Sequence, residues 1–134
     1  MKSTNHFVFV TLLIGSIMTS NAANVISITQ TGSGNNKAHV TQKGSMGDVI
    51  VQQTGHNNTL VQSQSGATNR SLVAQSGNNN ISLQGQNGQH NTAIALQDGQ
   101  NNQVIHHQEG DGNNRTVIEV GNGKKVVITE TGKP

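Results

Sequence analysis

An eleven-residue repeat constrains the fold of this chain more than any other feature of its sequence. The pattern Gln-x-Gly-x-x-Asn reads QTGHNN at 53, QSGNNN at 75 and QDGQNN at 97. Its glutamine recurs every eleven residues after one interval of twelve, and Glu119 and Glu130 continue the series. The glutamines are Gln30, Gln42, Gln53, Gln64, Gln75, Gln86, Gln97 and Gln108. Because each repeat of this kind is one structural unit, the ten units leave no room for a second domain.

Two further positions of the unit are almost constant. Two residues after each glutamine or glutamate stands a glycine, at Gly32, Gly44, Gly55, Gly66, Gly77, Gly88, Gly99, Gly110, Gly121 and Gly132. Five residues after the glutamine stands an asparagine, at Asn35, Asn58, Asn69, Asn80, Asn91, Asn102 and Asn113; Gly47 and Lys124 are the exceptions. Glycine accepts a positive φ and asparagine tolerates a left-handed conformation. We therefore expect one tight turn in every unit.

The residues that lead up to each glutamine alternate as a β-strand does. In residues 24–30, Asn24, Ile26, Ile28 and Gln30 share one face, and residues 47–53 and 91–97 repeat the pattern. One strand and one turn per unit, with two units per rung, predict an all-β fold. The expected architecture is a cross-β, amyloid-forming β-solenoid of about five two-strand rungs.

Inward amide side chains would explain why glutamine and asparagine are retained in unit after unit. Each amide could donate to its copy in one neighbouring rung and accept from the copy in the other. An unpaired buried amide costs roughly 2–7 kcal/mol, so such a ladder would fix the register. We predict an assembly ladder made of the eight glutamines and of Asn58, Asn69, Asn80, Asn91, Asn102 and Asn113, with turn glycines from Gly32 to Gly121. The alternative is that these amides lie in solvent-exposed turns and form no ladder.

Two parts of the repeat depart from the pattern. Ile81 and Leu83 share the face opposite to Gln86, which predicts either a bulge or an inward Gln84 in that unit. The last two units carry glutamate in place of glutamine, and stacked carboxylates repel one another. That end of the chain should template more weakly or bind another surface, unless it is simply a frayed terminus.

The first 22 residues differ from the repeats in composition. Lys2 precedes an apolar run at 7–18 that is too short to span a bilayer, and small residues follow at 20–22. This predicts a signal peptide at residues 1–22 and a repeat domain at residues 23–134, with a retained membrane anchor as the alternative. The repeats contain no cysteine and no aromatic residue, so neither disulfides nor an aromatic core stabilise them.

Catalytic and ligand-binding motifs are not apparent in the repeats. Their acidic residues are scattered, whereas hydrolases and lyases need clustered carboxylates or a base beside a nucleophile. His56, His90, His106 and His107 are expected to be surface imidazoles rather than metal ligands. Nucleic-acid binding would need aromatic stacking platforms, which are missing. We expect no enzyme activity, no cofactor, no metal, no nucleic-acid partner and no small-molecule substrate.

The tandem pattern behind a predicted signal peptide resembles the curlin repeats of bacterial curli subunits, over residues 24–132. The resemblance implies a secreted subunit that crosses the outer membrane through a pore, with accessory factors, and polymerises with itself or another curlin subunit. Such extracellular amyloid fibres (curli fimbriae) serve cell adhesion and biofilm formation. The same glutamines and asparagines match the inward ladder positions of that family.

Two other functions remain open at the level of sequence. The charged final units resemble a minor curlin that nucleates fibres at the outer surface. A non-polymerising β-solenoid that binds ice or polysaccharide would need a regular outward row, such as threonine at one place in each strand. The outward positions at 25–29, 48–52, 70–74 and 92–96 show no such row.

Overall fold

A computed structural model describes residues 12–14, 24–32 and 34–132, and these ranges hold eleven β-strands. The strands are β1 Leu12–Ile14, β2 Val25–Thr31, β3 Lys37–Ser45, β4 Asp48–His56, β5 Thr59–Ala67, β6 Arg70–Asn78, β7 Ile81–Gln89, β8 Thr92–Gln100, β9 Gln103–Glu109, β10 Asn114–Asn122 and β11 Lys125–Thr131. Within these ranges no helix is long and apolar enough to cross a membrane. The predicted signal peptide at 1–22 lies outside the described residues except for β1.

The strands form two sheets, each built of parallel strands, and the two sheets face each other. The first has the order β1-β3-β5-β7-β9-β11, and the second has the order β2-β4-β6-β8-β10. Because the chain changes sheet at every turn, two consecutive strands make one rung, and β2 to β11 make five rungs. The prediction of an all-β solenoid of about five two-strand rungs is confirmed. The short β1 adds to the outer edge of β3 opposite residues 38–40.

Equivalent residues of successive rungs lie opposite each other in register. Gln42 pairs with Gln64 and Gly44 with Gly66, 22 positions apart. Among the pairs formed by β2 to β11, only that of β2 and β4 differs, since Gln30 lies opposite Gln53, 23 positions away. The turn between β2 and β3 absorbs the extra residue, so the ladder continues unbroken.

The strands are longer and the turns shorter than the sequence predicts. The strand predicted at 47–53 runs from Asp48 to His56, and it passes through Gly55 without losing its pairing. The left-handed residue is the one before the repeated asparagine, not that asparagine itself. The non-glycine residues with φ between 54° and 58° are Met46, Asn57, Thr68, Asn79, His90 and Asn101. The expectation of a left-handed repeated asparagine is wrong, because that side chain is turned inward to bond with the main chain.

The glycine of each unit is required for two separate reasons. Gly66 has a φ of 107°, which residues with a side chain rarely adopt. A Cβ atom at Gly66 would also collide with the carbonyl oxygen of Gly88 in the next rung. The close approach of the backbones at this corner is thus possible only with glycine in successive rungs.

The interior between the sheets is apolar toward both ends and polar in the middle. Near the N-terminal end Val49, Val51 and Leu60 belong to one aliphatic cluster, and near the C-terminal end Ala95 and Val104 belong to another. Between them lie five buried polar residues, Gln62, Ser71, Ser82, Gln84 and His106. A core of this kind cannot rely on hydrophobic burial alone.

Residues 80–86 keep the regular register. Gln84 lies opposite Gln62 and is buried, while Leu83 is on the outer face and Ile81 is exposed. Of the two alternatives for this unit, the inward Gln84 is correct and the bulge is absent from β7.

Substitution of Gly66 by asparagine tests the requirement for glycine at the corner. We expect Gly66→Asn to destabilise the fold by more than the roughly 1–3 kcal/mol of backbone strain, because the side chain also meets the next rung. Gly112→Asn is the matched control, since Gly112 also has a positive φ of 71° but has open space around its Cβ position. Guanidinium unfolding followed by circular dichroism measures both, and equal midpoints would contradict the explanation.

Candidate assembly site in the amide ladders and the end faces

Glutamine side chains form two continuous columns of hydrogen bonds, one on the inner face of each sheet. In one column Gln30 donates from Nε2 to Oε1 of Gln53 at 2.6 Å, and Gln53 donates in the same way to Gln75 at 2.8 Å. Gln75 then donates to Gln97 at 2.8 Å. The other column runs through Gln42, Gln64, Gln86 and Gln108 at 2.6–3.0 Å. We call these two sets the glutamine columns.

A second bond fixes the direction of each glutamine amide. Nε2 of Gln53 also donates to the main-chain carbonyl of Lys37 at 3.1 Å, and Nε2 of Gln97 donates to that of Ile81 at 3.0 Å. The equivalent bond is present for Gln64, Gln75, Gln86 and Gln108. Reversing an amide would place its oxygen against this carbonyl, so both columns donate toward the C-terminal rung.

The buried asparagines bond to the main chain instead of to each other. Oδ1 of Asn80 accepts from the N–H of Asn102 at 3.1 Å, while Nδ2 donates to the carbonyls of Gly99 and Ser76 at 3.0 Å each. Asn58, Asn69, Asn91 and Asn102 make the same contacts. The expectation of an amide-to-amide asparagine ladder is therefore wrong, because this shorter side chain lies at the turn, within reach of main-chain groups. Each asparagine closes its own turn and binds the next one.

The structure assigns this role to two asparagines that the forward count from glutamine missed. Oδ1 of Asn24 accepts from the N–H of Gly47 at 2.9 Å, and Oδ1 of Asn36 accepts from the N–H of Asn58 at 3.0 Å. Asn36 is buried, whereas Asn35 is exposed. Counting six residues back from the following glutamine finds both positions, because no glutamine precedes Asn24 and the extra residue of the longer unit precedes Asn36. Asn113 is half-buried, and its Nδ2 bonds to the carbonyl of Glu109.

The C-terminal face of the solenoid, formed by β10 and β11, ends both columns in carboxylates. Glu119 is 2% exposed, and neither of its oxygens has a hydrogen-bond partner among the described residues. Glu130 accepts from Nε2 of Gln108 at 3.0 Å and is paired with Arg115 at 2.6 Å. Arg115 occupies an inward position of β10, so the ion pair links the two sheets across this face.

The N-terminal face, formed by β2 and β3, ends both columns in amide oxygens. Oε1 of Gln42 is buried and has no partner among the described residues, while its Nε2 donates to Gln64 at 2.8 Å. Gln30 has the same orientation, because its Nε2 donates to Gln53. Half-buried Ile26 and Ile28 lie beside them and pack against the first aliphatic cluster. This face therefore combines acceptors with aliphatic surface.

The polar middle of the core holds one histidine. His106 is 1% exposed, and neither ring nitrogen has a partner among the described residues. Burial lowers the pKa of His106, Glu130 opposes this change, and Arg115 and His107 reinforce it. The expectation that His106 is a surface imidazole is wrong, because its strand position faces inward, whereas His56, His90 and His107 are exposed.

No geometry for metal binding appears among the described residues. No three histidine or acidic side chains converge there in a way that could hold an ion. Asp111 lies in a sequence with faint likeness to a calcium loop, but its Oδ1 accepts from the N–H of Gln89 at 2.7 Å. This carboxylate therefore links two turns through a hydrogen bond.

Replacing one glutamine of a column tests its contribution to stability. Gln75→Leu would leave Nε2 of Gln53 without its acceptor and Oε1 of Gln97 without its donor. We expect a loss of about 2 kcal/mol or more, because each buried unpaired group costs about 1–3 kcal/mol. Gln52→Leu is the matched control: Gln52 is exposed, and its replacement should change stability by less than about 0.5 kcal/mol. Guanidinium unfolding compares the two variants, and similar losses would contradict the role of the columns.

Burial of His106 predicts a specific dependence of stability on pH. Since its pKa is lower in the folded than in the unfolded chain, its stabilising contribution is complete above the ordinary value of about 6.5. It is lost as the pH falls through the folded pKa, at about 1.4 kcal/mol per unit of difference. The unfolding midpoint should therefore drop on acidification and drop less in His106→Leu. His107→Leu is the control and should behave as the wild type; an unchanged pH profile in His106→Leu would contradict the assignment.

Comparison with known proteins agrees with this architecture. A family model described as the curlin associated repeat matches residues 22–55, which include β2, β3 and most of β4. No curated protein and no solved structure matches the chain. The matched unit continues in register through the remaining rungs, with glutamine or glutamate opposite glutamine at each step. The chain is thus similar to the curlin associated repeat over residues 22–55, and its remaining rungs repeat the same unit in register.

Proposed function

We propose that the chain is a structural subunit of extracellular, curli-like amyloid fibres that serve cell adhesion and biofilm formation. The observation that carries the proposal is that strand edges are open at both ends of the solenoid once β1, which pairs with part of β3, is removed with residues 1–22. β2 and β10 lie at the two edges of one sheet, and β11 lies at an edge of the other. Their outer N–H and C=O groups are available for pairing with a further strand. Stacking of a subunit on each face would continue both sheets.

The polarity of the coil favours head-to-tail addition. All described strand pairs are parallel, and both glutamine columns donate toward the C-terminal rung. Only contact between the C-terminal face of one subunit and the N-terminal face of the next continues strand direction and register together. A contact between two different surfaces that does not close into a ring produces a filament.

The outer surfaces suit the side wall of a fibre better than an ice-binding plane. On one sheet Ile50, Leu72 and Ile94 are aligned along the stack, and on the other Val61 is aligned with Leu83 and Ile105. These rows are aliphatic, and among the described strands outward threonines lie opposite each other only at Thr31 and Thr54, followed by Ser76 and Asp98 in the next rungs. Aliphatic rows that are at least partly accessible, as these are, favour lateral packing or adhesion.

The route and partners are further parts of the proposal, and they rest on the similarity of residues 22–55 to the curlin associated repeat. Removal of residues 1–22, passage through an outer-membrane pore with accessory factors, and contact with another curlin subunit fit a surface fibre. The chain can act as the bulk subunit or as a minor, nucleating one. The carboxylates of the C-terminal face are the specific feature that favours the minor role, because they interrupt both glutamine columns.

Incubation of the purified chain without residues 1–22, with and without preformed seeds, tests the proposal. We expect fibres that bind thioflavin and give a meridional reflection near about 4.7 Å, the spacing of paired strands. Spontaneous fibres that seed other subunits would assign the nucleating role, and dependence on seeds would assign the bulk role. A chain that stays monomeric for days at high concentration, with seeds present, would contradict assembly.

A further inference from the structure

The two end faces of this chain are not complementary to each other. In a head-to-tail joint between two copies, β2 of the next copy would lie on β10 and β3 would lie on β11. Glu119 would then meet Gln30, and Glu130 would meet Gln42. An ionised carboxylate only accepts hydrogen bonds, and the amide groups of the N-terminal face also present acceptors. The joint between two copies thus brings acceptor against acceptor in both columns.

A reversal of the terminal amides does not repair this mismatch. If Gln30 turned its Nε2 toward Glu119, its oxygen would face the oxygen of Gln53. Gln53 would then have to reverse as well, and it would lose its bond to the carbonyl of Lys37. The same loss would pass along the column, because each following glutamine makes the equivalent bond. The direction of the columns is therefore set by the whole stack.

The interior positions of the two faces are mismatched too. Arg115 occupies the inward position that corresponds to Ile26 in the first rung. A second copy docked on the C-terminal face would bury the Arg115–Glu130 ion pair beneath aliphatic side chains. Removing an ion pair from water is unfavourable unless new polar partners replace the water, and Ile26 and Ile28 offer none. Inward charges at a sheet edge are a known means of preventing edge association.

We propose that the N-terminal face of this chain joins the final rung of a different repeat chain, one that carries carboxamides at both ladder positions, more readily than it joins a second copy, and that its own C-terminal face slows growth. A glutamine at each of those positions would donate an N–H to Oε1 of Gln30 and Gln42, and would satisfy the buried oxygen of Gln42. A stack would therefore grow more slowly once this chain has been added to its end. This inference rests on the proposed end-to-end assembly.

The double variant Glu119→Gln/Glu130→Gln tests the inference, because it restores carboxamides to the C-terminal face. We expect this variant to elongate at least about tenfold faster than the wild type, since even one unpaired buried acceptor is worth about that factor. The matched control is Asp98→Asn/Glu109→Gln, which removes two acidic charges from exposed positions outside the columns. The control should assemble at the wild-type rate. Circular dichroism verifies that each variant, with and without residues 1–22, keeps its strand content.

Cross-seeding supplies a second measurement that does not depend on the rate of nucleation. Seeds made from the double variant present a carboxamide rung and so imitate the proposed partner. The first labelled wild-type molecule should add to each growing end as fast as the labelled double variant, and further wild-type molecules should then add at least about tenfold more slowly. Wild-type elongation as fast as that of the double variant, or a control variant as fast as the double variant, would overturn the inference while leaving assembly itself intact. Absence of fibres from every variant would overturn the proposed assembly and the inference together.

Discussion

The structure depends on a carboxamide that is buried between two sheets and must find a partner in the rungs above and below. A glutamine offers one oxygen and two N–H groups, and in the interior of this solenoid water does not compete for them. One N–H bonds to the next glutamine and the other to a main-chain carbonyl, as Gln53 does with Gln75 and Lys37. A shift of register by one residue would leave every column unpaired at once. Repetition therefore fixes one register, although each bond contributes only about 1 kcal/mol.

Glutamine, asparagine and glycine have separate tasks within each unit. Glutamine joins the rungs inside the sheet, asparagine joins the turns through the main chain, and glycine lets the backbones approach at the corner. This division explains how the chain forms a packed interior with few large apolar residues. The same bonds operate in the polar middle, where the hydroxyl of Ser71 lies 2.7 Å from Oε1 of Gln62 and 2.6 Å from that of Gln84. Ordered stacking takes the place of a large hydrophobic core.

A stack of this kind is complete only in its interior rungs, so the two ends decide how it behaves with other molecules. Repeat proteins usually need atypical terminal units that prevent association. Here the N-terminal face continues the pattern of the interior, whereas the C-terminal face replaces both amides with carboxylates and places the exposed Arg115 at an inward-facing strand position. The chemical difference between the faces gives the molecule a direction. It also links the solenoid to the proposed fibre, in which a subunit receives one neighbour more readily than the other.

The sequence by itself determined the period, the parallel two-strand rung and the inward glutamines, because an eleven-residue repeat with alternating polarity can be satisfied in few ways. It also indicated that Gln84 could face inward. Tertiary structure alone decided that the asparagines bind main chain, that Asn36 and not Asn35 is the buried one, and that His106 is enclosed. Tertiary structure alone also decided the direction of the columns. A carboxamide can pair along a column in either orientation until a carbonyl of the opposite strand lies beside it and requires an N–H donor there. Spacing along the chain specifies which residues meet, but only the packed geometry specifies which atom faces which.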